Sequence, residues 1–282
     1  MFFHKKELQF EAKPERPDPV FAKKLQEVLG GQYGEMSIFM QYLFQGWNLR
    51  GNEKYKDLLL DIGTEEIAHV EILATLIARL LDGSIYDQEK ASDDPAINAI
   101  LSGSNPQHAI VSGMGAMPKD SVGVPWNSGY IVASGNLLAD FRANLNMESQ
   151  GRLQVARLYG MTDDPGVKET LSFLIARDTM HQNQWIASIK DLESKEGVVT
   201  PSTFPSDLEP SEYSHAVYNC SEGEESSKLD WLKMPAPDGS KISYEQGRPF
   251  GSVPKLEPAH PKAHDTLPME DVQSSDPENP MK

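Results

Sequence analysis

The sequence contains a single cysteine, Cys220, among 282 residues. One cysteine excludes a disulfide framework within the chain and is compatible with a reducing compartment. Basic residues are also scarce, because 26 Lys and Arg face 42 Asp and Glu and leave a formal net charge of −16 at pH 7. Nucleic acids and anionic membrane surfaces attract clustered Lys and Arg, so we expect neither as a partner.

Long apolar runs are absent as well. No stretch approaches the roughly 18 consecutive apolar residues of a membrane span. The N-terminal stretch MFFHKKELQFEAKPERPDP lacks the apolar core of a signal peptide. The hydrophobic fraction of 39% is nevertheless sufficient for a sizeable core. We therefore expect a soluble, cytoplasmic protein.

Four segments repeat apolar residues with the period of an amphipathic helix. They cover residues 21–47, 52–80, 131–158 and 167–192. The links GNE and GMTDDPG are short and predict antiparallel pairs, whereas residues 83–128 form a long connection between the second and third segments. Two helical hairpins joined by a long crossover are typical of the ferritin-like four-helix bundle. The predicted fold class is therefore all-α.

The predicted domain organisation has three parts. Residues 1–19 form an N-terminal arm, residues 20–193 form the bundle, and residues 194–282 form an extended, mostly irregular C-terminal tail. The tail is rich in proline and acids and shows little periodicity, so it cannot bury much surface. It is either disordered or extended across another subunit, and its aromatic residues favour partial order.

Acids and histidines interrupt the apolar stripes near the middle of all four segments. Glu66 and His69 are three residues apart and share one helical face. A lone buried carboxylate costs several kcal/mol or becomes protonated, but inward-facing groups at similar heights can meet around cations. The interrupting residues are Glu35, Glu66, His69, Glu148, Asp178 and His181.

This set of residues predicts a di-metal site, because carboxylates and imidazoles are ligands for manganese, iron or zinc. A di-metal carboxylate bundle takes one Glu from each of two helices and a Glu-x-x-His motif from each of the other two. The chain departs from that pattern only at Asp178, whose side chain is one methylene shorter. We expect Asp178 to orient the ligands and to accept protons without binding the metal. Any one of these residues alone would more often be a structural core group.

Smaller features carry three further expectations. Gly30, Gly31 and Gly34 stand inside the first predicted helix, where we expect them to permit close helix approach beside Glu35. Cys220 is expected to be an unreactive thiol. The histidines outside the two motifs are expected on the surface: His4, His108, His215, His260 and His264.

Three long stretches resemble the manganese catalases, the non-haem ferritin-like catalases of bacteria. They are LQEVLGGQYGEMSIFMQYLFQGW, KYKDLLLDIGTEEIAHVEIL and NMESQGRLQVARLYGMTDDPGVKETLSFLIARDTMHQNQW. The resemblance implies two manganese ions per subunit. Glu35 and His69 would bind one ion. Glu148 and His181 would bind the other, with Glu66 as a bridge between both.

The resemblance also implies groups around the ions and an assembly. Tyr42 would donate a hydrogen bond close to the ligands. Asp178 stands where family members can carry a Glu beside the ligands, and Met147 stands where some have an arginine over the ions. These two departures bear on proton movement and leave the metal ligands unchanged. The implied assembly is a hexamer whose tails wrap neighbouring subunits.

Some family members bind a calcium ion at the subunit boundary, and matching positions occur in this chain. Two acids lie four residues apart on the polar face of the second helix, and the string N-x-S-x-G offers oxygens, which calcium prefers. Without the resemblance, the same residues would be a solvated helix face and an ordinary turn. The implied ligands of one calcium ion are Asp57, Asp61, Asn219, Ser221 and Gly223.

The resulting hypothesis is disproportionation of hydrogen peroxide to water and dioxygen, with the metal pair alternating between Mn(II)2 and Mn(III)2. Two alternatives remain open. One is a di-iron oxidase or ferroxidase on the same bundle, because ligand types alone do not separate manganese from iron. The other is a non-enzymatic coat or assembly protein that keeps the bundle.

Overall fold

A computed structural model describes residues 5–83, 103–247, 251–257 and 259–260 of the chain. The chain divides into two compact units, Met1–Phe204 and Pro205–Lys282. In the described part of the first unit, the helices are α1 (Pro19–Gly30), α2 (Glu35–Asn48), α3 (Glu53–Leu81), α4 (Pro106–Ile110), α5 (Leu137–Tyr159) and α6 (Pro165–Glu196). The second unit contains α7 (Ser211–Ser214) and the strands β1 (Ala216–Asn219) and β2 (Ser243–Gln246), which pair in parallel. No helix among these residues has the length and apolarity needed to cross a lipid bilayer.

The predicted helical bundle is confirmed in the first unit. Helix α2 packs along α3, and α5 packs along α6, and the short links between the members of each pair make them antiparallel. Helix α6 begins where the sequence predicts, because the Asp164 side chain accepts a 3.0 Å hydrogen bond from the Val167 amide and Pro165 occupies the first turn. The crossover lies in the described structure only from residue 103 onward. The boundaries at residues 19 and 193 stay predictions.

Two apolar clusters occupy opposite ends of the bundle and leave a gap between them. Along α3 the clusters are separated by the turns between Ile62 and Ile72, and along α6 by the turns between Leu174 and Trp185. The same gap on α5 precedes Val155. Each cluster buries large side chains completely, so the polar residues between them are shielded from solvent at both ends. This arrangement places a layer of polar residues in the middle of the bundle.

The first predicted helix is in fact two helices, α1 and α2, separated by residues 31–34. Gly31 and Gly34 have extended backbone conformations at the break. The expectation that these glycines lie inside one helix is therefore wrong. Gly30 does allow a close approach, but to the crossover: a Cβ at this position would lie 2.4 Å from the carbonyl oxygen of Lys119. The break makes Glu35 the first residue of α2.

Helix α5, which corresponds to the third predicted segment, begins later in the chain than its apolar stripe predicts. Asn136 caps α5, because its side-chain oxygen accepts a 3.0 Å hydrogen bond from the Ala139 amide. Ile131 and Ser134 precede the helix, and Ser134 donates through both its amide and its hydroxyl to Asp140 Oδ1, at 2.9 and 2.7 Å. The loop therefore closes onto the first turn of α5 and replaces the predicted extra helical turns.

His108 is buried, so the expectation of a surface position is wrong for this residue. Only 2% of it is exposed, and its Nε2 lies 3.3 Å from the side-chain oxygen of Gln26 on α1. Gln26 also donates to the carbonyl oxygens of Met117 and Lys119, at 2.7 Å each. This glutamine therefore ties the crossover to the bundle. His215 is half-buried and His260 is exposed, whereas His4 and His264 lie outside the described residues.

We expect the wild-type protein to lose stability at acidic pH more steeply than the His108→Gln variant. Burial lowers the pKa of His108, so the folded state favours the neutral ring. That contribution is fully present above the unfolded-state pKa of about 6.5 and is lost as the pH falls through the folded-state pKa. Denaturant unfolding at a series of pH values from about 8 to 5 measures it. Identical pH slopes for both proteins would contradict the expectation.

Candidate metal centre

Six ionisable side chains lie in one layer between the two apolar clusters. Each helix of the bundle contributes one or two of them: α2 at its first residue, α3 and α6 on successive turns, and α5 at mid-length. All are at most 3% exposed. They are Glu35, Glu66, His69, Glu148, Asp178 and His181.

Five of the six form two groups that share Glu66. One group joins Glu66 with Glu35 and His69, and in it one potential ligand atom of each residue lies within 4.8 Å of the others. The second group joins Glu66 with Glu148 and His181 under the same limit. Three carboxylates and two imidazoles therefore surround a space in which one carboxylate faces both groups.

The two oxygens of Glu66 face different histidines. Oε2 lies 2.7 Å from Nδ1 of His69, and Oε1 lies 2.5 Å from Nδ1 of His181 without the geometry of a hydrogen bond. Nδ1 of His69 is 4.0 Å from Glu35 Oε2, and Nδ1 of His181 is 3.6 Å from Glu148 Oε1. Both imidazoles thus present Nδ1 to the carboxylates.

Several buried polar atoms of the layer lack a hydrogen-bond partner within the described structure. They include one oxygen each of Glu35, Glu66 and Glu148, together with Nδ1 of His181. Buried polar groups are almost always paired, so unpaired carboxylate oxygens converging on one space need another partner. Oxygen and imidazole ligands of this kind suit manganese, iron or zinc. The residues therefore fit a pair of bound metal ions.

The carboxyl groups at the edges of the layer are hard to ionise. Burial, followed by the charge of Glu66, raises the pKa of Glu35 and of Glu148 well above the usual range. The same two causes raise the pKa of Asp178 to about 7. Crowded carboxylates away from water disfavour each other's charge. A proton or a metal cation relieves that repulsion.

Glu66 and the two histidines shift in the opposite sense. Burial by itself would raise the pKa of Glu66, but His69 and His181 hold it well below the usual range. Burial by itself would lower the pKa of His181, but Glu66 and Glu65 raise it to about 10. Because Nδ1 must lose its proton before it coordinates a metal, protons and metal ions compete for these atoms.

Glu65, which the sequence analysis missed, lies behind both histidines. Its Oε2 is 3.1 Å from Nε2 of His181, and its Oε1 is 3.8 Å from Nε2 of His69. The hydrogen bond to His181, followed by the nearby ring of His69, lowers the pKa of Glu65. Nε2 of His69 itself has no hydrogen-bond partner in the described structure. A carboxylate at Nε2 favours the tautomer whose Nδ1 lone pair is free for a metal. The signal was present in GTEEIAHVE, where Glu65 precedes His69 by one helical turn.

Tyr42 contacts the layer directly. Its hydroxyl donates a 2.7 Å hydrogen bond to Glu148 Oε1, and its ring packs against Trp185 at a centroid distance of 4.9 Å. Asp178 belongs to neither group of converging ligand atoms, and its Oδ2 has no partner in the described part of the chain. Met147 is buried in the apolar cluster beside the layer.

A second feature that the sequence analysis missed is a cluster of buried amides beside Tyr42. The side-chain oxygen of Asn144 accepts from Gln41 at 2.8 Å and from Gln45 at 2.9 Å. Gln41 and Gln45 then bind the backbone amide and carbonyl of Val132, each at 2.8 Å. The cluster fixes the end of the crossover to the bundle.

The candidate calcium ligands are divided between the two compact units. Asp57 and Asp61 are exposed on successive turns of α3. In the second unit, Asn219 Oδ1 accepts from the amide and the hydroxyl of Ser221, at 3.0 and 2.7 Å. Asn219 also donates to the carbonyl oxygen of Gly223 at 2.7 Å. The structure therefore brings the three tail residues together in one turn.

A model of the family described as manganese containing catalase matches residues 1–278 of the chain. The chain belongs to the manganese catalase family. It is 67% identical over 270 residues to a manganese catalase of Bacillus subtilis, covering 95% of this chain and 99% of that protein. It is 44% identical over 265 residues to a manganese catalase of Lactiplantibacillus plantarum, covering 94% and 98% respectively.

A solved structure of the same family is also similar. The wild-type manganese catalase KatB from Anabaena matches with a TM-score of 0.67 and 29% sequence identity, over 86% of this chain and 98% of that chain. The match agrees with the ferritin-like bundle predicted from the sequence. Membership of the manganese catalase family favours a manganese-dependent catalase over the di-iron oxidase and the coat or assembly protein.

Proposed function

We propose that this protein disproportionates hydrogen peroxide to water and dioxygen at two manganese ions held inside each subunit. The observation that carries the proposal is the sharing of Glu66 by two buried groups of metal-ligand type. A bridge of this kind suits a reaction that needs two neighbouring redox centres. Family membership and the 67% identity to a Bacillus subtilis manganese catalase support manganese as the metal.

The proposed ligands follow the two groups. Glu35 and His69 bind one ion, Glu148 and His181 bind the other, and Glu66 bridges them. When bound, the pair would supply two one-electron redox centres, Mn(II)2 in the reduced form and Mn(III)2 in the oxidised form, with capacity for the two electrons of each peroxide reaction. Three carboxylates offset three of the four positive charges of two divalent ions. A small oxygen ligand would balance the remaining charge.

The surrounding residues orient the ligands and move protons. Oxidation of one peroxide to dioxygen releases two protons and two electrons, and reduction of a second peroxide to two waters consumes the same number. Asp178 is the proposed proton carrier, because it is a buried carboxyl group beside the ligands and its Oδ2 has no hydrogen-bond partner in the described structure. Tyr42 orients Glu148 through its hydrogen bond, and Glu65 orients His181 through a hydrogen bond and lies 3.8 Å from His69.

Three finer features are part of the proposal. A hexamer with tails across neighbouring subunits would give the acid- and proline-rich C-terminal segment a surface to cover. One calcium ion per subunit would have Asp57, Asp61, Asn219, Ser221 and Gly223 as its ligands. A cytoplasmic location agrees with the single cysteine, which is free and exposed.

We expect protein isolated from cells supplied with both manganese and iron to contain about two manganese ions per chain and to evolve oxygen from peroxide without haem absorption. Elemental analysis, combined with an oxygen electrode, measures this. Iron-loaded protein that consumes oxygen without releasing it would support the di-iron oxidase. Metal-free protein without peroxide turnover would support the non-enzymatic role.

The same elemental analysis measures calcium, and light scattering measures the size of the assembly. Protein without calcium would overturn the proposed calcium site, and a monomer would overturn the proposed hexamer.

A further inference from the structure

Residues 5–18 form an N-terminal arm that is held against the bundle by hydrogen bonds to its backbone. Arg79 of α3 donates to the carbonyl oxygen of Ala12 at 2.8 Å, and Thr170 of α6 donates to the carbonyl oxygen of Glu11 at 2.9 Å. Ala12 is completely buried. The arm is therefore bound to both of the helices that carry the metal-site histidines.

The second half of the arm is fixed as firmly. The Asp164 carboxylate accepts from the amides of Glu15 and Arg16, at 2.9 and 3.3 Å. The arm also passes so close to α6 that a Cβ at Gly166 would lie 1.9 Å from the carbonyl oxygen of Lys13. These contacts fix residues 13–16 and thereby restrict the position of the residues that precede them.

Phe10 provides an apolar connection from the arm to His69. Its ring stacks on Phe173 of α6, with centroids 4.4 Å apart and an angle of 8° between the planes. Phe173 in turn meets the His69 imidazole edge-on, at a centroid distance of 6.3 Å and an interplanar angle of 87°. The stacked ring of Phe10 therefore limits rotation of the ring that packs against His69.

Gln9 provides a polar connection to His181 through Glu65. Its side-chain amide donates a 2.9 Å hydrogen bond to Oε1 of Glu65, the carboxylate that lies behind His69 and His181. Arg177 holds the same carboxylate with two contacts of 2.6 and 3.1 Å. Adjacent arm residues thus reach the histidines by two independent routes.

We propose that the N-terminal arm is a positioning element of the metal centre, acting on His69 through Phe10 and Phe173, and on His181 through Gln9 and Glu65. The inference rests on the proposed function, in which these histidines bind manganese. Neither arm residue touches the ligand atoms. Each restricts a neighbour that sets the orientation of an imidazole, and such neighbours contribute to metal affinity.

The test compares Mn(II) affinity of full-length variants by equilibrium competition with a chelator. We expect Phe10→Ala to weaken binding about tenfold, the low end of the range for groups behind a ligand. Gln9→Ala should weaken it by only about threefold, because Gln9 is exposed and acts through Glu65. Phe10→Tyr keeps the stacked ring and should bind as the wild type does. Phe10→Leu serves if the alanine variant does not fold. Glu7→Ala, exposed on the same arm, is the matched control and should change nothing.

A double-mutant cycle separates positioning from general packing. The effect of Gln9→Ala on Mn(II) affinity should disappear in a Glu65→Ala background, which has no side-chain acceptor for Gln9. An effect of unchanged size in that background, or arm variants that bind within twofold of the wild type, would overturn the inference. A wild-type protein that binds no manganese would instead overturn the proposed function, so the two failures are distinguishable.

Discussion

The Glu66→Gln substitution is expected to abolish the binding of both manganese ions and, with it, peroxide turnover. Glu66 belongs to both groups of converging ligand atoms, and its oxygens lie 2.7 Å from Nδ1 of His69 and 2.5 Å from Nδ1 of His181. Glutamine keeps the shape but supplies one neutral oxygen and removes a negative charge shared by two divalent ions. The loss should exceed the ~10–100-fold that groups behind a ligand contribute.

Metal content after dialysis and the initial rate of oxygen evolution measure this expectation. The alanine variant should behave in the same way, although it also leaves a buried cavity that glutamine avoids. Glu71→Gln is a suitable control, because it makes the same chemical change on the exposed face of α3. Two tightly bound manganese ions in the glutamine variant would show that Glu66 is no bridge.

The second large effect is expected at Glu65. Replacement by glutamine should weaken Mn(II) binding by roughly 10–100-fold, the range typical of groups that hydrogen-bond a metal-bound histidine. The variant loses the charged acceptor 3.1 Å from His181 Nε2 and leaves Arg177 without the carboxylate that it contacts twice. The neutral amide can also turn its nitrogen toward the histidines, which favours the wrong tautomer.

Activity of the Glu65→Gln variant should return in part at high manganese concentration, because all five proposed ligands remain. Titration of oxygen evolution against added Mn(II) distinguishes this variant from Glu66→Gln, which should not recover. The Glu71→Gln protein again provides the control. Unaltered Mn(II) affinity in Glu65→Gln would exclude a positioning role for this carboxylate.

The helices and the residues of the layer are predictable from the sequence because both follow from helix periodicity. The spacing of three between Glu66 and His69, and between Asp178 and His181, puts each pair on one face of its helix. Buried acids on several apolar stripes need a common partner, and that physical requirement predicts a metal layer. Asp164 and Pro165 indicate the start of α6 for an equally local reason.

Errors occurred where a distant segment determines the local structure. The apolar stripe continues through residues 31–34, yet the chain breaks there, and the crossover passes within contact of Gly30. In the sequence His108 resembles a histidine of an exposed loop, but in the structure it is buried and contacts the side chain of Gln26. Neither contact leaves a periodic signal, because the two partners belong to different segments.

The amino-acid sequence by itself determined the bundle, the helix faces and the identity of the polar residues between the apolar clusters. Only the tertiary structure decided that Glu66 lies between both histidines, that Glu65 lies behind them, and that an arm 56 residues away from Glu65 reaches it through Gln9. Helix geometry fixes which neighbours within a few residues share a face. The packing of whole helices and segments fixes which atoms meet across the chain.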